Sequence, residues 1–405
     1  MVNSVHAANG LTALWAATVE DATVFSAVGV WPLLAFLADG AAELTREELA
    51  EALGVPADQA ASAGRELLGA LDSVDGLDSA LGIWTRRTLE PRPEWVAGLP
   101  AQTHGVLGGD LGADQKTLDA WAAERTGGLV DAMPVELTPL TELVLASALV
   151  LRTTWEEPFE GGYGRWLGGA FDRAGLSRTT EGLDDLAVAR TPAGKVTRVV
   201  VRGDNGIDVH LLLGEEEMTP GQVLGAGLGC LDGSLRPTAG ERLKKGDAGP
   251  GLHVSKLPSA QPAPTQLSLD TVEFTLNARH DLLARPELFG LSCATDPEWG
   301  GFPGISAGPL AVGSAGQSAT ATFSAEGFRA AAVTAVGMAW MGAPGGDLPY
   351  ETTEAYVRID RPFGFLAVHR KTRLALVAGW VTDPRPFDED EYSYPEGLED
   401  APVIE

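Results

Sequence analysis

Residues 324–340 read SAEGFRAAAVTAVGMAW and follow SATATF at 318–323, whose alternation suits a half-buried strand. Ala330, Ala331 and Ala332 favour helix. Against a helix, Val333, Thr334 and Val336 are β-branched, and Gly327 and Gly337 bracket the run. A Gly/Pro-rich loop, MGAPGGDLPYETTE, comes next. Small residues with a period of two suit both an exposed loop and a strand that enters a sheet. Counted from Phe328, one face carries Phe328, Ala330, Ala332, Thr334 and Val336, and the other Arg329, Ala331, Val333 and Ala335. The face with Arg329 can look to solvent while the other packs beneath a sheet.

The bulk composition narrows the function classes. A chain of 405 residues can bury roughly 75% of its unfolded surface without staples. Apolar content of 44% and charged content of 21% are ordinary for a globular protein. The formal charge of −27, with 56 acidic against 29 basic residues, argues against a nucleic-acid partner, which needs clustered Lys and Arg. Two cysteines, Cys230 and Cys293, make no disulfide framework. The start, MVNSVHAANGLTALW, lacks a basic n-region ahead of a long apolar h-region. The longest apolar run, Leu143–Leu151, is well short of the ~20 residues of a membrane span. A cytoplasmic protein without membrane association is expected.

Along the chain, Leu11–Val19 and Val28–Ala42 read as apolar helices, and Thr45 to Glu48 (TREE) as a capping box for a third that stops at Gly54. Ser79–Leu89 reads as a strand, Leu118–Val130 as an amphipathic helix closed by Gly127 and Gly128, and Leu143–Leu151 as a central strand covered on both faces. Val196–Leu213 predicts a hairpin around Asp-Asn-Gly, and Gly364–Val381 a second one turning at His369–Thr372. Gly225–Gly251 reads as loop, Gln266–Leu276 as a strand and Asp281–Leu291 as a helix. From Pro386 the chain is dominated by Asp and Glu, which predicts a solvated tail. Helices first and strands later is an α+β order.

Six segments, in order, resemble the serpins, the serine proteinase inhibitor family, in a bacterial-type form. They are TVFSAVGVWPLLAFLADGAAELTREELAEALG (23–54), LDAWAAERTGGLVDAM (118–133), LVLASALVLRTTWEEPFE (143–160) with Trp155, Pro158 and Phe159, FPGIS (302–306), the hinge around Gly327, and RPFGFLAVHRKTRLALVAGWVTDP (361–384). The resemblance implies three β-sheets with eight or nine helices and an exposed reactive-centre loop. It implies one domain over 1–385, with the loop at about 325–358 and an acidic tail over 386–405. It also implies no catalytic residue, no cofactor and no metal. A proteinase would cleave the loop and form an acyl-enzyme. Insertion of the freed strand would then trap it.

Carried onto this sequence, the hinge is Glu326, Gly327, Phe328, Ala330, Ala331, Ala332 and Val333, and the reactive bond is Met341–Gly342. A Met there suits a serine or cysteine proteinase with an apolar primary pocket, met by a monomeric inhibitor. Trp340, Leu348 or Tyr350 are alternative baits. The region where the sheet must open carries Ser26, Gly29, Ser147, Trp155 and Gln317. Departures are visible. Phe328 stands where inhibitory members carry a small residue, Ala325 where Glu is common, and Gly29, Ser147 and Gln317 where Ser, Asn and His are usual. These leave open a non-inhibitory serpin-fold protein with a binding or acquired biosynthetic role.

Rival chemistries are weaker. Gly304–Gly308 matches G-x-S-x-G, but Pro303 and Pro309 flank it and a β-like segment follows, so a turn is expected there in place of a nucleophile elbow. Gly225–Gly229 lacks the spacing of a dinucleotide fingerprint. The six histidines, at 6, 104, 210, 253, 280 and 369, show no metal-ligand spacing.

Overall fold

A computed structural model describes residues 2–128, 132–133, 135, 137–169, 171–259, 261–296, 301–328 and 350–388. Among these residues lie seven α-helices and three sheets, an α+β fold. The helices are α1 (Val2–Ala16), α2 (Ala27–Gly40), α3 (Glu43–Leu53), α4 (Ala57–Leu71), α5 (Pro93–Gly98), α6 (Leu111–Thr126) and α7 (Pro220–Asp232).

The sheet that matters for function runs β3 (His104–Leu107), β2 (Leu77–Arg86), β4 (Leu143–Leu151), β16 (Val312–Phe323), β17 (Gly327–Phe328) and β5 (Thr153–Thr154). β15 (Phe274–Asp281) pairs β16 along its other edge. All nine residues of β4 are buried, Ser147 among them, as its largely apolar sequence predicts. A second sheet runs β1 (Thr23–Phe25), β20 (Leu374–Val381), β19 (Phe363–His369), β10 (Ile207–Gly214), β9 (Gly194–Val201), β8 (Leu186–Thr191) and β11 (Thr238–Ala239). The third runs β12 (Gly246–Gly249), β13 (Leu252–Ser259), β18 (Tyr350–Arg358), β14 (Gln266–Val272), β7 (Phe171–Glu181) and β6 (Glu160–Arg165). The main core includes Trp31, Phe36, Phe274, Phe323 and Phe365. A smaller cluster, with Leu118 and Ala122 of α6 and Val144 and Ala146 of β4, seats α6 over the first sheet.

Both hairpins form as expected, β9–β10 around Asp204–Gly206 and β19–β20 across 369–374. Gly54 and Gly127 close α3 and α6 in the left-handed region, at φ 65° and 61°. Four expectations change. Thr45 does not cap α3: Ala42 is the N-cap, and Thr45 is buried within the helix against Gly301. The carbonyl of Gly301 accepts the Ala42 amide, and this tertiary contact starts the helix before the predicted box. Residues 281–291 form two 3₁₀ turns, Leu282–Ala284 and Pro286–Phe289. Pro286 disfavours α geometry at Arg285, which adopts φ −138° and ψ 64°. The stretch 225–251 is not all loop, since α7 covers its first part with a Thr219/Gln222 capping box. Its glycines bring helix and sheet together: a Cβ at Gly227 would stand 2.4 Å from Leu212 Cδ1. Finally, Gln266–Leu276 is two strands, parted at Glu273.

Candidate functional site

β4 and β16 run parallel and pair from Leu143/Val312 to Leu149/Ala319. Past that point the two strands part, and β17 lies between β16 and β5, antiparallel to both. Phe328 pairs with Phe323 on one side and Thr153 on the other. The seam is therefore zipped along most of its length and wedged at one end by two hinge residues.

Backbone geometry explains the wedge. A Cβ at Gly327 would meet the Thr153 carbonyl oxygen at 2.3 Å, so only glycine allows this approach. The Ser324 amide donates to the Gly327 carbonyl at 3.0 Å, turning the chain back on itself. Trp155 holds that turn: its indole Nε1 donates to Ser324 O at 3.0 Å and its amide to Glu326 O at 3.0 Å. The Phe159 amide donates to Ala325 O at 2.8 Å. Below, Phe323 lies 4.9 Å from Trp155 and 5.4 Å from Phe274, ring centroid to centroid. Phe328 is 1% exposed and packs at 5.9 Å from Phe365. Its ring thus lies within an aromatic part of the core.

A second cluster lies lower on the seam. Ser26 caps α2, and its amide donates to Gln317 Oε1 at 2.8 Å while Gln317 Nε2 donates to Ser26 O at 2.8 Å. Ser26 Oγ donates to Leu376 O at 2.7 Å. Across the seam, Gln317 Nε2 reaches Ser147 Oγ of β4 at 3.4 Å. The two short bonds fasten β16 to α2, and the long one alone in this cluster spans β16 to β4. A Cβ at Gly29 would stand 2.4 Å from Ser147 Oγ, so the glycine makes room for the contact.

Ser26, Gly29, Ser147 and Gln317 thus converge, whereas Trp155 stands apart from them, at the hinge. Glu326, Gly327 and Phe328 meet at the wedge. Ala330, Ala331, Ala332, Val333 and the Met341–Gly342 bond lie outside the described residues. Tyr350 opens β18 and pairs with Ser259, which places it in a sheet and not in a loop available as bait. Thr153, Thr154 and the 204–206 turn escaped the sequence reading. Thr153 Oγ1 donates to Asn205 Oδ1 at 2.7 Å and Thr154 Oγ1 to Asp204 Oδ2 at 2.6 Å, so the hairpin turn anchors β5. The Asp-Asn-Gly signal was visible, but its side chains read only as turn chemistry.

Ser306 sits in the turn before β16, buried, with Oγ accepting the Gly308 amide at 3.1 Å. Among the described residues no group of three or more His, Cys, Asp or Glu is placed to hold a metal ion. No described helix is long and apolar enough to cross a membrane.

Comparison with known proteins gives consistent findings. The family described as Serpin (serine protease inhibitor) matches residues 3–163. A protein of Oryza sativa subsp. japonica named as serpin-Z6A is 32% identical over 152 residues, 34% of this chain and 38% of that protein. An uncharacterized serpin-like protein of Thermococcus kodakarensis is 27% identical over 146 residues, 33% of this chain and 34% of its own. The matched part therefore spans little more than a third of each curated relative. Among solved structures, human thyroxine-binding globulin with its hormone has a TM-score of 0.70 at 18% identity, covering 95% of this chain and 98% of that one. The thermophilic serpin Tengpin in its native state has a TM-score of 0.72 at 16% identity, covering 94% of each chain.

Proposed function

We propose, from the premise that this chain is a serpin in fold and in the sequence of residues 3–163, that it inhibits a serine or cysteine protease by loop cleavage and strand insertion. The observation that carries this reading is the wedge: Phe328 is already lodged between β16 and β5, at the parted end of the β4–β16 seam. An inserting strand would continue from Phe328 down that seam, exchanging one parallel ladder for two antiparallel ones. The chain would supply bait and a spring, with no catalytic group of its own. The domain is taken as 1–385, and Met341–Gly342 as the bond attacked.

The protease hydroxyl or thiol would attack the Met341 carbonyl and release the Gly342 amine, leaving an acyl-enzyme. Insertion before water reaches that ester or thioester would draw the enzyme along the sheet. The test mixes the purified chain with chymotrypsin and subtilisin. An SDS-stable complex is expected, together with a loop-cleaved form melting tens of degrees above the intact chain. Clean cleavage with no complex and no rise in melting temperature would overturn the inhibitor reading. In that case a binding role would take its place, with the cleft of ≈640 Å³ bordered by Met218, Val223, Leu167 and Trp380 as the first place to seek a ligand.

A further inference from the structure

The cleft of ≈640 Å³ lies where the end of β10, the start of α7, the turn ahead of β19 and the β6–β7 turn meet. Met218, Val223 and Trp380 line it and are themselves buried, which gives it an apolar floor. Backbone geometry makes this possible. A Cβ at Gly214 would stand 2.4 Å from Val223 Cγ2, so the glycine lets α7 settle on the end of β10.

Leu167 supplies the rim. The Trp166 carbonyl accepts the Gly169 amide at 2.9 Å, and Leu167 and Gly168 between them have φ of 51° and 68°. A tight turn of this kind favours Asn, Asp or Gly at its first central position. Here that position carries a leucine, 66% exposed, which lines the cleft. The Leu167 amide donates to Asp360 O at 2.6 Å, fastening this rim to the turn ahead of β19.

Charge then selects the occupant. Arg361 is engaged within the lining: its Nη2 donates to Gly214 O at 2.8 Å, and its Nη1 lies 3.9 Å from Asp360 Oδ1. These two opposite charges offset one another. Glu215 and Glu216 line the same cleft and are exposed, and among the described residues neither carboxylate has a hydrogen-bond or ion-pair partner. An apolar floor with two uncompensated carboxylates suits an amphipathic cation.

We propose that this cleft binds a small organic cation, an aliphatic or aromatic body bearing an ammonium group. The body lies against Leu167, Met218 and Trp380, and the ammonium is met by Glu215 and Glu216. Binding needs no cleavage of the chain, so its failure would leave the inhibitor reading standing.

The test follows the fluorescence anisotropy of dansylcadaverine with the intact chain at low salt. Saturable binding is expected, and dansylglycine, which carries a carboxylate in place of the ammonium, should bind at least about tenfold more weakly. The double variant E215Q/E216Q should weaken dansylcadaverine about tenfold and leave neutral dansylamide unchanged. E94Q/E124Q, at exposed acids on α5 and α6, removes the same charge and should do neither. L167N suits the turn better than leucine does, so it should keep the melting temperature yet weaken both dansylcadaverine and dansylamide about fivefold. No saturable binding, equal binding of dansylglycine, equal effects of the two double variants, or full binding by L167N would each overturn the proposal.

Discussion

Gln317 is a single side chain that fastens one strand to a helix and touches another strand. Replacing it with Leu strands the Ser26 amide in a buried site and leaves the Ser26 carbonyl only the Gly29 amide, at a cost of about 1–3 kcal/mol read from urea unfolding of the intact chain. Ser147→Ala removes only the 3.4 Å contact and should cost less than about 1 kcal/mol. Equal costs would mean that the bond across the seam matters as much as the pair to α2. Phe328 makes a sharper test, because a ring at the head of an inserting segment reads from sequence as a burden. In place it is a core residue, so Phe328→Ala should destabilise the intact chain by about 3–5 kcal/mol. A stabilising effect would show the ring to be overpacked after all.

At the scale of elements, the face of the β9–β10 hairpin under α7 holds a buried imidazole. Burial, and behind it the charges of Arg198 and Arg373, push His210 down to about 3. Its folded value lies below its unfolded one, so the unfolded chain binds the extra proton between pH 6.5 and 3. Stability contributed by the neutral ring is present above pH 6.5 and drains away as pH falls through that window. His210→Leu should flatten the fall between pH 7 and 4 relative to the parent chain, as followed by urea midpoints. Parallel curves would remove His210 as a cause.

The same elements mark what the sequence could convey. β4 was legible because a continuous apolar run has few other homes, and the two hairpins because their turns need particular residues. α7 was not, since Gly225, Gly227 and Gly229 look like loop until Leu212 is seen pressing on the helix. The cluster at Ser26 and Gln317 was legible only through the family resemblance. Those residues stand 291 apart in sequence, and nothing local announces the bond. The wedge at β17 was hidden because two residues carry no periodicity.

At the scale of the whole molecule, inhibition by loop insertion requires one sheet to have two possible strand counts. If insertion follows cleavage, the cleaved chain should resist guanidinium concentrations that unfold the intact chain, as well as heat. Identical unfolding midpoints for the two forms would leave the sheet with a single state. One further consequence follows from chain order. β4 ends at Leu151, and the strand that closes its open side begins at Val312. A ribosome must therefore make more than 150 further residues while a largely apolar strand waits with one edge uncovered. During that interval the emerging chain is vulnerable to edge pairing with its neighbours. Yield should accordingly depend on translation speed and on holdase chaperones more than the stability of the finished protein would suggest.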